Sequence, residues 1–116
     1  MTDVPAISNL VDDSFEKFGS IDVIISNAGY GLFGAAEELS DAAVDHIIAT
    51  NLTGSIQLIR SALPHMRTQG GGRIIQISSY GGQVAFPGNS LYHAIKFGIE
   101  GSPEITGMRI GLVKFC

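Results

Sequence analysis

The sequence holds a single cysteine, Cys116, at its last position. One cysteine excludes an internal disulfide and a cysteine-based zinc site, and makes a reducing, cytoplasmic setting the expectation. The three histidines, His46, His65 and His93, form no HExxH pair and no tight ligand cluster, so no metal site is expected. Charge is scarce, at 16% of residues against about 25% in ordinary soluble domains. The formal net charge is −4 and there is no basic run, which sets aside nucleic acid and anionic membranes as partners. No apolar run approaches the roughly 20 residues needed to span a bilayer. The opening residues, MTDVPAISNLVDD, carry acids where a secretory leader would carry lysine or arginine. Repeats and low-complexity tracts are absent.

What remains is a chain of 116 residues, 45% apolar, with 15 glycines. That length fits one domain or part of one, and it can bury roughly two-thirds of its unfolded surface. Asp3 is a natural N-cap, with Pro5 in the first turn. Ile7, Leu10, Val11, Ser14, Phe15 and Phe18 recur at helical spacing, and Gly19 ends the helix. Ile21 to Ile25 is apolar and β-branched apart from Asp22, the pattern of a strand buried on both faces. A glycine-rich turn, Asn27 to Gly34, follows.

Ser40 caps the next helix, with Asp41 in its positive first turn. Val44, Ile47, Ile48, Leu52, Ile56, Ile59 and Leu63 form its stripe to about Met66, with Pro64 bending the last turns. After a loop from Gln69 to Gly72, Arg73 to Ser78 (RIIQIS) reads as a second buried strand. Ser79 to Asn89 reads as a loop, and Ser90 opens a third helix through Tyr92, Lys96 and Ile99. Arg109 to Phe115 offers a third strand. Alternating helix and strand with short links predicts an α/β fold: a partial, Rossmann-like, doubly wound parallel sheet in three-layer α/β/α packing, with two or three strands present.

Four features carry chemistry. Tyr92 and Lys96, four apart, share one helix face. A phenol titrates near pH 10 and serves acid–base chemistry at neutral pH only where a neighbouring cation favours the phenolate. Read blandly, they are an exposed polar pair. Ser79 ends a strand at the carboxyl edge of the sheet, where open α/β folds bind ligands; otherwise it caps a turn, as Ser78 could equally. Ser26-Asn27-Ala28-Gly29 lets backbone approach a ligand closely, or is a plain strand exit. Asn51 sits among Ile47, Ile48, Leu52 and Ile56, where asparagine is disfavoured. It marks either a kink with bound water or a chance solvent-facing position.

Taken in order, Ser26-Asn27-Ala28-Gly29, Asn51, Ile77-Ser78-Ser79 and Tyr92-x-x-x-Lys96 resemble the short-chain dehydrogenase/reductase family, including the spacing from Ser79 to Tyr92. The resemblance implies an oxidoreductase that moves a hydride between NAD or NADP and a small-molecule carbonyl or alcohol. It implies that Tyr92 is the acid–base, and that Lys96 favours the tyrosinate and holds the nicotinamide ribose. Ser79 would orient the substrate oxygen. Asn51 would hold a water in a proton relay that ends at the lysine. Asn27, Ala28 and Gly29 would line the cofactor site with Tyr92 and Lys96. Dimers or tetramers through the long helix and the Tyr92 helix are also implied.

The resemblance covers about residues 2 to 101 and corresponds to the middle of a family domain. The family's opening strand and TGxxxGxG pyrophosphate loop have no counterpart in the sequence. Three strands and two helices of the family pattern are therefore missing, which would expose a sheet edge. Gly29, Gly31 and Gly34 do form a G-x-G-x-x-G match after a strand, but Glu37 and Glu38 follow where a phosphate wants positive potential. Ser102-Pro103 breaks the third helix, and residues 102–116 form a tail that departs from the family. The expectation is a single partial NAD(P)-binding domain over residues 1–116. The alternative is a truncated, catalytically inactive remnant or gene-model fragment with at most a binding role. A serine hydrolase built on Ser79 and His93 fails for want of a G-x-S-x-G elbow and an orienting acid.

Overall fold

The computed structural model describes residues 1–85 and 87–101, together with the backbone of 110–115. The reading of Ser102-Pro103 as a break, and most of the tail assigned to 102–116, lie outside these residues.

Helix α1, Val4–Phe18, begins where its cap predicts: Asp3 Oδ1 accepts from Ala6 N at 3.0 Å, and Gly19, at φ 74°, closes the far end. Strand β1 is Val23–Ser26. A single 3-10 turn, Ala36–Glu38, precedes α2, Asp41–Ile48, whose cap Ser40 accepts from Ala43 N at 3.2 Å. The long helix then passes through a π turn, Ala49–Thr53, into α3, Gly54–Thr68. Its irregularity thus falls at Asn51, with Pro64 inside α3. Strand β2 is Arg73–Ser79, followed by a 3-10 turn, Tyr80–Gly82, helix α4, Ser90–Gly101, and strand β3, Ile110–Phe115.

The three strands form one parallel sheet in the order β1-β2-β3, with Ile24 beside Ile74, Ser26 beside Gln76 and Ser78 beside Lys114. The third strand anticipated at Arg109 to Phe115 is therefore present as β3. Side-chain parity places the described helices on one face of the sheet. Ile74 packs with Val11, Phe15, Ile59, Ala62, Leu63 and Met66 of α1 and α3. Ser78, of the same parity on β2, meets Glu100 of α4. A second apolar cluster joins the helices to each other through Ile47, Ile95 and Ile99, flanked by Leu52 and Leu91.

The expectation that β1 is buried on both faces is overturned. Val23 and Ile25 point away from the helices and are 47% and 60% exposed. Leu10 and Phe18, on the predicted stripe of α1, are exposed too, and only Ile7, Val11 and Phe15 of that stripe are buried. The physical reason is that among the described residues β1 pairs on one side only, and the described helices cover one sheet face. A doubly wound sheet carries helices on both faces; these residues supply the sheet and one helical layer.

Two amides tie down the ends of the short β1. Gln69 accepts from Ile21 N at 3.2 Å and donates to Ile21 O at 2.8 Å. Asn51 accepts from Tyr30 N at 3.0 Å and donates to Tyr30 O at 2.6 Å. The second clamp fixes the glycine-rich segment that opens onto the site.

Candidate active site

At the carboxyl edge of β1 and β2 lies a cleft of about 410 Å³, within the usual range of small-molecule sites, roughly 300–1,000 Å³. Asn27, Gly29, Ser79, Tyr92 and Lys96, separated by up to 69 positions in sequence (96 − 27), meet around it. Of the residues singled out by sequence, Ala28 and Asn51 do not line it. Ala28 lies between two lining neighbours, as alternation along an extended segment dictates.

Asn51 is fully buried, so the solvent-facing alternative is excluded, and the kink it marks is the π turn. Both ends of its side-chain amide are taken by the Tyr30 backbone. A Cβ on Gly29 would lie 3.3 Å from Asn51 Oδ1, so the small residue lets the clamp close.

Lys96 is 7% exposed. Its Nζ donates to Ile77 O at 3.3 Å and lies 5.6 Å from the centre of the Tyr92 ring. Among the described residues no carboxylate pairs with it. Burial pushes its pKa below the ordinary 10.5, because a desolvated ammonium is disfavoured. Ser79 lies at the strand end with its Oγ accepting from Gly81 N at 3.2 Å. Ser79 therefore both caps the turn and lines the cleft. The cap uses an oxygen lone pair, and the hydroxyl proton remains to be donated. Ser78 also lines the cleft, but its hydroxyl proton is already spent: its Oγ donates to Glu100 Oε1 at 2.7 Å.

The sequence reading missed Tyr30, Gly31, Ile77 and Ser78 as lining residues. Tyr30 directly follows the Ser26–Gly29 motif, and this adjacency was the one available signal. The G-x-G-x-x-G match at Gly29, Gly31 and Gly34 leads into a 3-10 turn with Glu37 and Glu38, and α2 starts only at Asp41. It therefore presents no helix N-terminus to a phosphate.

A larger open cleft, about 710 Å³, lies between α1 and the end of α3. Its polar groups include His65 and Asp12, already paired at 2.6 Å, and Gln69, spent on Ile21 and Gly71. No strand end opens there, so size alone does not outweigh the convergent groups of the smaller cleft. Among the described residues no group of three metal-ligating side chains is found, and no helix is long and apolar enough to cross a membrane.

The fold and this cleft define an α/β dehydrogenase-like module, and comparison with known proteins gives it a family. The family model for short chain dehydrogenases matches residues 1–107. An uncharacterized oxidoreductase of Schizosaccharomyces pombe is 36% identical over 99 residues, covering 85% of this chain and 42% of the relative. The 17-beta-hydroxysteroid dehydrogenase type 1 of Homo sapiens is 39% identical over 86 residues, covering 74% and 26%. A metagenomic short-chain oxidoreductase solved in complex with NADP superposes with a TM-score of 0.88 at 30% identity, covering 97% of this chain and 55% of that one. The chain belongs to the short-chain dehydrogenase family, and it spans less than half the length of the two curated relatives named here.

Proposed function

We propose that the cleft is the acid–base and nicotinamide-facing half of an NAD(P)-linked oxidoreductase acting on a small carbonyl or alcohol. The observation that carries this reading is the convergence of the Tyr92 phenol, the buried Lys96 and the Ser79 hydroxyl on one cleft at the sheet's carboxyl edge.

The donor set fits the nicotinamide end of the cofactor. Lys96 is a buried cation with no carboxylate partner among the described residues, and Gly29 exposes backbone at the rim. The bound dinucleotide would supply or accept the hydride. Lys96 would hold the nicotinamide ribose, and its ammonium lies 5.6 Å from the centre of the Tyr92 ring. Tyr92 exchanges a proton with the substrate oxygen. Ser79 donates its hydroxyl proton to that same oxygen and fixes its place. Asn27 and Gly29 line the cofactor side, with Ala28 holding the segment between them. Asn51 acts by keeping that segment in place through Tyr30. Any relay role for Asn51 falls to its backbone carbonyl, which accepts the Ser55 hydroxyl at 3.3 Å.

Titration calorimetry with NADH and NADPH tests the reading. A charge-assisted hydrogen bond contributes roughly 1.5–3 kcal/mol, so Lys96→Met is expected to weaken binding about ten- to a hundredfold. Binding indifferent to Lys96→Met would overturn the assignment. A second reading is that these 116 residues by themselves have at most a binding role, since they contain no TGxxxGxG loop for the pyrophosphate. Without the pyrophosphate contacts the chain by itself is expected to show no turnover. A folded sample that binds neither nucleotide would favour this second reading.

A further inference from the structure

Resting on the reading of the cleft as an acid–base site, we propose that His93 is a positioning residue that holds the Ser79 turn against the Tyr92 helix. His93 was singled out in the sequence only as the base of a hydrolase, and the structure gives it other work. It is 5% exposed, and its Nδ1 lies 2.9 Å from the carbonyl oxygen of Gly81. A carbonyl oxygen carries no proton, so Nδ1 must donate. That nitrogen is then not available as a base toward Ser79.

Gly81 is held from two sides. Its N–H donates to Ser79 Oγ at 3.2 Å, and its carbonyl takes the imidazole. A Cβ at this position would stand 2.8 Å from His93 Nδ1 and 3.3 Å from the Tyr92 ring, so the contact demands glycine. His93 directly follows Tyr92, and the two rings lie 6.2 Å apart at 70°. The position of α4 is thereby transmitted through Gly81 to the lone pair of Ser79, which aims the remaining hydroxyl proton. A second tie, from Ser78 to Glu100, anchors the strand end further along the same helix.

Two measurements on the full chain test this. Long-range ¹⁵N spectra of the histidine rings are expected to show His93 protonated at Nδ1. A neutral ring carrying its proton on Nε2 would overturn the proposal without any variant. The second measurement is hydrogen exchange at the Gly81 amide. His93→Leu is expected to speed it at least about tenfold, while His93→Asn, whose amide N–H can sit where Nδ1 does, stays within about threefold of the parent. Equal acceleration in both variants, or none in either, would overturn the proposal. Should His93→Leu fail to fold, the ring spectra and His93→Asn decide. Failure of the acid–base reading would show separately, as a parent chain that ignores nicotinamide nucleotides while the Nδ1 proton and the Asn rescue persist.

Discussion

Lys96 concentrates the physical tension of the site. It is buried without a carboxylate partner among the described residues, and burial lowers its pKa. A base whose folded pKa is lowered destabilises the fold while it stays protonated. Below the lowered pKa both states hold the proton and the penalty is fully present. It declines as pH climbs from there to about 10.5, above which both states are neutral. Lys96→Met is therefore expected to be at least as stable as the parent at pH 7, with the gap narrowing toward pH 10.5. Urea denaturation at several pH values checks this, and a variant less stable at pH 7 would contradict it.

Among the elements, β1 shows how local and non-local forces divide the work. It is a strand of four residues with one neighbour among the described residues, and the amides of Gln69 and Asn51 hold the backbone before and after it, at Ile21 and Tyr30. Asn51→Ala would strip partners from the Tyr30 N–H and carbonyl, and is expected to cost about 1–3 kcal/mol in urea denaturation. A cost near zero would show that water replaces the clamp. The helix starts at Asp3 and Ser40 and the stop at Gly19 were legible because caps, glycine and helical period act over a few residues, whereas the spacing from Ser79 to Tyr92 was legible only through the family resemblance. Asn51 was legible as a disturbance in an apolar helix. Its partner was not, because Tyr30 lies 21 positions away and offers only backbone. Nor was Gln69 with Ile21, 48 positions apart, or His93 with Gly81, which depends on how the turn after β2 meets α4. The exposure of Val23 and Ile25 escaped for a like reason, since a β-branched run does not state how many layers will cover it.

At the scale of the whole molecule, the described chain is a parallel sheet with helices on one face and Val23 and Ile25 bare on the other. An open edge strand beside an exposed apolar face favours self-association. Sedimentation velocity is expected to show association of the chain, reduced by Ile25→Lys, whereas a sharp monomer for the parent would count against it. The residues present suit the nicotinamide end of a dinucleotide, and the sequence holds no loop for its pyrophosphate. Nicotinamide mononucleotide therefore isolates the central claim, and mapping its effect on the amide spectrum of the chain is the most direct test. The account predicts saturable shifts at Gly29, Ser79 and Lys96 that Lys96→Met removes and adenosine monophosphate does not reproduce. Shifts centred on Asp12 and His65 in the larger cleft, or an equal response to adenosine monophosphate, would contradict it.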